Sequence, residues 1–160
     1  RPLWAIFICM NLNTGNIKEI TENVVRDCGY FLIDFNLRGY GRNQVIEVYI
    51  DGKDYINADD CAKVSRDLNN KLQDITGPDD SYRLDVSSPG IDRPLKFVEQ
   101  FPKHINKRFS LVYNLNNETK KSEAELIGLQ NDELTFLTDD RRENVIKFKD
   151  IIKAKVLLSF

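Results

Sequence analysis

Histidine, methionine and tryptophan each occur once in the 160 residues, and cysteine three times. A structural zinc site needs four clustered ligands. His104 is the only imidazole, and Cys9, Cys28 and Cys61 form no C-x-x-C pair. No metal and no cofactor is therefore expected. An odd number of widely spaced cysteines also makes a poor disulfide framework, so reduced thiols in a cytoplasmic protein are expected. Long apolar runs are missing too. The stretch Leu3–Cys9 is too short to span a bilayer, and without a small-residue cleavage site it makes a poor signal peptide. Neither sign of charge dominates: 23 Lys+Arg stand against 25 Asp+Glu, a net charge of −2. That balance gives no global electrostatic argument for a nucleic-acid partner. The halves differ mildly, with a net of −4 over residues 1–90 and +2 over residues 91–160, which permits one basic face without requiring it.

What is present is a folded composition, 41% hydrophobic and 30% charged, outside the disordered range. Residues 1–12 are assigned as an N-terminal tail. Met10 leaves two readings open, a natural start there or a short first strand over residues 1–9. From Thr14 to Cys28, Ile17, Ile20, Val24 and Cys28 are spaced as one helix face. Asn13 or Thr14 can cap it, and Gly29 suits its end. The runs "YFLIDFNL" (30–37) and "QVIEVYID" (44–51), joined by "RGYGRN", predict a β-hairpin. Ile46, Val48 and Ile50 should share one face. Asn57 can cap a second helix carrying Cys61, Val64, Leu68, Leu72 and Ile75, which Gly77-Pro78 stops. "YRLDVS" (82–87) is a third strand. The order helix–strand–strand–helix–strand implies a two-layer α+β domain over residues 13–90, with both helices on one sheet face.

Beyond Pro94 the texture changes. "PLKFVEQFPKHINK" reads as a short helical turn or loop. Five short strands follow, at 108–115, 122–129, 133–138, 144–148 and 152–158, joined by "NNETKK", "QND" and "DDRRE". So many short strands in so few residues bury a common core by closing into a small barrel, here over residues 91–160.

Between the two lies "DVSSPGIDRPL", residues 85–95. Pro89-Gly90 suits a type II turn, with proline at the first corner and φ > 0 at the glycine. Pro94 pushes Arg93 toward extended backbone. Ser87 or Ser88 as a nucleophile would need a base and an oxyanion hole. His104 lies in a lysine-rich loop and no G-x-S-x-G is present. A stiff connector that turns at Ser88, Pro89 and Gly90, and presents Asp92 and Arg93 to a partner, fits the residues better.

"LDVSSPGIDRPL" resembles the signature of the ribosome maturation factor RimP family, VSSPG(L/I)(D/E)RPL. "VYIDG" leading into "DDCAKVSRDL" is similar to that family's second strand and second helix, and "KFVEQFPKHINKRFSL" (96–111) to its entry into a second domain. The resemblance covers residues 16–160. It implies an α/β N-terminal domain and an Sm-like or SH3-like C-terminal barrel. It further implies a non-enzymatic, cytoplasmic assembly factor, monomeric and without a small-molecule substrate. Such a factor binds the immature small (30S) ribosomal subunit through a ribosomal protein and rRNA.

The remaining constellations are weaker. "RGYGRN" lacks the P-loop pattern and leads into a strand rather than a helix, so it reads as a turn with Arg38 and Arg42 at its tip. Asp59, Asp60, Asp67, Asp79 and Asp80 read as helix caps and solvated faces rather than a cation site. Lys107, Arg108, Lys120, Lys121, Arg141 and Arg142, together with Lys96 and Lys103, are placed in barrel loops or at strand starts. There they are either solvated or in contact with phosphate. Tyr113, Phe136 and Phe148 are better explained as core than as base-stacking platforms. The alternative function class, a small Mg²⁺-dependent nucleic-acid-processing enzyme, would want carboxylates converging at strand ends, whereas the acids here are spread over helices and turns.

Overall fold

A computed structural model describes residues 14–40, 43–76 and 81–158 of the chain. The assigned tail, residues 1–12, and the Gly77-Pro78 stop lie outside the described residues. Two compact units emerge, Arg1–Gly52 with Ile56–Ser88, and Lys53–Tyr55 with Pro89–Phe160.

In the first unit, α1 (Thr14–Asp27) leads into β1 (Phe31–Arg38) and β2 (Gln44–Asp51), then α2 (Ala58–Gln73) and β3 (Tyr82–Ser87). The sheet order is β1-β2-β3, antiparallel between the first two and parallel between the last two. Period-2 alternation puts Ile46, Val48 and Ile50 on the helix-facing side, where all three are buried. Ile17, Val24 and Val25 of α1 and Val64, Leu68 and Leu72 of α2 close over them. Thr21, also buried, donates its hydroxyl to the Ile17 carbonyl at 2.7 Å.

The helix ends follow from local chemistry. Gly29 has φ +87°. The N–H of Tyr30 donates to the Val25 carbonyl and that of Gly29 to the Arg26 carbonyl, the pair of bonds that ends a helix at a left-handed residue. At the start of α2, the Asn57 side chain accepts from the N–H groups of Asp59 and Asp60, and Asp60 accepts from the Asn57 N–H at 2.9 Å. This is a reciprocal capping box. One expectation fails here: Ile75 is 48% exposed. The helix stops at Gln73 with Asp74 as its cap, so Ile75 leaves the helical period before it can join the buried stripe.

The second unit opens with two short 3₁₀ turns, Val98–Gln100 and Pro102–His104. Buried Gln100 organises the first turn, its Oε1 accepting from the N–H groups of Lys96 and Phe97. Then come β4 (Arg108–Leu115), β5 (Glu118–Gln130), β6 (Glu133–Leu137), β7 (Glu143–Lys147) and, after a 3₁₀ turn, β8 (Ile151–Val156). All are antiparallel, in the order β7-β6-β5-β4-β8. Phe101, Phe109, Leu111, Leu126, Leu134 and Phe136 form the core. Phe101 stacks on Phe109 at 5.7 Å, and Phe109 meets Phe136 edge-on at 5.8 Å. Tyr113 and Phe136 are therefore core residues, and Phe148 packs edge-on against Phe101.

Two features depart from the sequence reading. The outer strands β7 and β8 are not hydrogen-bonded to each other, so the sheet is not closed into the expected barrel. The connection "NNETKK" is also shorter than expected. Asn116 and Asn117 have φ +52° and +64°, and Leu115 pairs directly with Glu118. Two left-handed residues make a two-residue hairpin turn, so β5 begins four residues early and Lys120 and Lys121 lie within a strand.

Candidate functional site

The motif that punctuates the sequence forms the exit from β3. Ser87 ends the strand, and the boundary between the units falls between Ser88 and Pro89. Gly90 has φ +66°, and a Cβ built there meets nothing within 4 Å. Glycine is thus required by backbone conformation and not by crowding. Ser88, Gly90 and Asp92 are exposed, while Pro89, Arg93 and Pro94 are half-buried. Leu95 returns to regular pairing, its N–H donating to the Ala154 carbonyl at 2.8 Å. Ser87 and Ser88 also line a shallow depression of about 600 Å³ inside the first unit, with Cys61, Ala62 and Ser65 of α2.

Acids of the first unit are engaged structurally. Asp60 closes the capping box and accepts the Tyr30 hydroxyl at 2.7 Å. The Asn57 N–H first, and then that hydroxyl, hold the Asp60 carboxyl below its ordinary range. The same carboxylate pushes Tyr30 up to about 12. Asp67 accepts from the Cys28 thiol at 3.4 Å. Burial pushes both Cys28 and Cys61 upward, away from thiolate reactivity. Among the described residues no group of three His, Cys, Asp or Glu side chains could hold a metal; Asp79 and Asp80 lie outside them. Arg38 pairs with Glu47 across the hairpin, and Arg42 lies outside the described residues.

The basic residues of the second unit do not converge on one surface. Lys107, Arg108, Arg141 and Arg142 gather at one end of the sheet, but acids are interleaved with them. Arg108 grips Asp139 with both guanidinium nitrogens, at 2.6 and 3.0 Å, and lies 3.7 Å from Glu123. That grip holds Asp139 below its usual range. Arg142 pairs with Asp140 at 3.1 Å, and Arg141 sits in the same turn at φ +59°. Lys120 and Lys121 are elsewhere. They pair with Tyr113 and Val112 toward the other end of β4, about 17 Å from Arg108 at about 3.4 Å per residue. Consecutive strand residues point to opposite faces. Lys120 shares the face of buried Tyr113, and Lys121 shares the outer face with Val112 and Lys153.

Sequence reasoning missed a third grouping. Lys120, Lys147 and Lys149 surround a groove of about 560 Å³ along β7, lined also by Tyr113, Asn114, Leu115, Asn144 and Val145, with Glu143 and Asp150. Lys147 and Lys149 flank Phe148 in "IKFKD", which the sequence reading took for the end of an apolar strand. The available signal was that lysine alternation about one aromatic. Among the described residues, none of these three lysines has a carboxylate partner within 4.0 Å.

The first unit thus defines a class: a small two-layer α+β domain whose last strand leaves through a Ser-Ser-Pro-Gly turn with left-handed glycine. Residues 20–92 match the family model described as the RimP N-terminal domain. Over this domain the chain is similar to the RimP family, a family of ribosome maturation factors. The match ends at Asp92, so strands β4 to β8 lie beyond it. No helix among the described residues is long and apolar enough to cross a membrane.

Proposed function

We propose that this protein is an assembly factor that binds the immature small (30S) ribosomal subunit and promotes its maturation without catalysis. The observation that carries the reading is the match of residues 20–92 to the RimP N-terminal domain, on a unit with the element order that the sequence called for. It acts in the cytoplasm as a monomer, through one ribosomal protein and the neighbouring rRNA. Residues 91–160 serve as an Sm-like or SH3-like domain, an assignment supported by five antiparallel strands around one aromatic core. The register shift between Leu126 and Gly128 supports it too, since such irregularities bend a sheet toward closure. Asp92 and Arg93 present the connector to the protein partner. Lys107, Arg108, Lys120, Lys121, Arg141 and Arg142 are the candidates for phosphate contact. Asp139 and Asp140 hold Arg108 and Arg142, which leaves Lys107, Lys120, Lys121 and Arg141 as the stronger members.

The test is sedimentation of the protein with free small subunits and with whole ribosomes. Association with free subunits alone is expected, because an assembly factor must leave before the subunits join. Equal association with whole ribosomes would remove the reading. Incubating the protein with rRNA and Mg²⁺ should leave the RNA intact. Cleavage would favour the processing-enzyme alternative.

A further inference from the structure

We propose that the groove along β7 is a binding site for single-stranded RNA, and that its three lysines, rather than the carboxylate-held Arg108 and Arg142, make the phosphate contacts there. The inference rests on the ribosome-assembly reading and names the surface that would serve it. Three observations carry it.

The first is the state of the charges. A cation already held by a carboxylate must give up that pair before it can neutralise a phosphate, so little is gained. Arg108 and Arg142 are held in this way. Lys120, Lys147 and Lys149 are not, and they come from three different segments to rim one groove. Glu143 and Asp150 share the lining. The groove is therefore positive by a single charge, which limits the number of phosphates it can track.

The second is the floor. Val145 is 59% exposed and Leu115 44% exposed. Apolar side chains left open between lysines offer a nucleobase a face to lie on, while the ammonium groups follow the backbone. Asn114 and Asn144 stand beside that floor, and each carries both a donor and an acceptor for a base edge. A duplex conceals those faces and edges, so unpaired RNA is the fitting form.

The third is the strand itself. Among the described residues β7 pairs only with β6, so among them its other edge is left for strand addition by a protein. Lys147 lies on that strand, and a lysine on an edge opposes such pairing. That favours RNA over an added peptide.

The experiment uses the full chain and a short fluorescein-labelled single-stranded RNA of mixed sequence, followed by anisotropy at several salt concentrations, with the annealed duplex as comparison. Removing three charges in Lys120→Gln/Lys147→Gln/Lys149→Gln should weaken binding at least about tenfold at low salt. It should also reduce the log–log salt slope, by at least about 0.7 for one lost phosphate contact on a single strand and at most about 2 for three. Val145→Ser should weaken binding with the slope unchanged. Lys18→Gln/Lys71→Gln, which removes two charges from the helices of the first unit, should bind like the parent. Circular dichroism should show the same sheet in every variant. The proposal is overturned if the parent does not bind the single strand or binds the duplex as tightly. It is also overturned if the triple variant keeps the parent's affinity and slope. Unchanged RNA affinity in the triple variant, with subunit association lost in Val145→Ser, would assign the groove to a protein strand. Co-sedimentation with free small subunits is measured in parallel. A parent that sediments with subunits but ignores the RNA removes the groove and leaves the assembly reading. A parent that binds RNA through the three lysines but not subunits does the reverse.

Discussion

Gly90→Val isolates one physical quantity, because nothing else changes at that position. Gly90 has φ +66°, and a Cβ there would meet no atom within 4 Å. The added Cβ therefore meets no neighbouring atom. What remains is the left-handed backbone, which costs an L-residue roughly 1–2 kcal/mol and a β-branched one up to about 3 kcal/mol. Losing a glycine also stiffens the unfolded chain, which offsets about 0.4–1 kcal/mol. The net expectation is a loss of about 0.5–2 kcal/mol. Ser88→Ala removes at most a turn hydrogen bond from an exposed side chain, about 1 kcal/mol as an upper bound. Gly90→Asn should lie close to the parent, since asparagine tolerates this conformation. The chain itself uses it so: Asn106, Asn116, Asn117 and Asn131 all have positive φ. Urea unfolding of the full chain, comparing midpoints at unchanged slope, should rank stability as parent, then Gly90→Asn and Ser88→Ala, then Gly90→Val. A Gly90→Val midpoint equal to the parent's, or a Gly90→Asn midpoint as low as that of Gly90→Val, would refute the turn assignment.

Asn57→Ala should destabilise the first unit by about 1 kcal/mol through loss of the α2 cap, read by calorimetry as a fall in the midpoint. The Tyr30–Asp60 bond predicts alkaline sensitivity. Tyr30 is raised from 10.0 to about 12, so its contribution is complete below pH 10 and is lost as pH rises through 12; Tyr30→Phe should flatten that part of the profile in urea titrations. At the acid end Asp60 and Asp139 are lowered from 3.8. Their contribution is present above that value and lost as pH falls below it, and Asp139→Asn should blunt the acid transition. A fragment beginning near Arg93 should melt cooperatively with a sheet-type circular dichroism spectrum; an unfolded fragment would count against an independent second domain.

Where side-chain period and backbone agree, the sequence could be read almost residue by residue. β3 at Tyr82–Ser87 and β4 at Arg108–Leu115 fall where alternation and β-branched content placed them. The Asn57 cap and the left-handed Gly29 were legible for the same reason, since each rests on a local bond with a definite residue preference. Errors arose where one residue type has two uses. Asparagine in "NNETKK" marks a loop by composition, yet two adjacent asparagines also make the tightest hairpin turn, and they do so here. Ile75 continues a helical period on paper, but the backbone leaves that period two residues earlier. Closure of the five strands was inferred from their need for a shared core. Phe101, supplied by the segment before β4, is part of that core, so burial does not require the outer strands to pair.

The charged surface was the least legible part, for a reason that pairing makes plain. A sequence shows how many cations a segment holds but not which carboxylates will reach them. "DDRRE" looks doubly basic at its centre, yet Asp140 holds Arg142, and Asp139 holds Arg108 from a strand thirty-one residues earlier. "KK" at 120–121 looks like a doublet, yet the pleat sends its two side chains to opposite faces. By contrast Lys147 and Lys149, which straddle a half-buried phenylalanine, end beside Lys120 on one groove, and among the described residues none of the three is paired with a carboxylate. The useful basic residues are those the fold leaves uncompensated. Compensation depends on strand register, which becomes readable only once the two asparagine turns have fixed which residue of β4 and β6 faces each residue of β5.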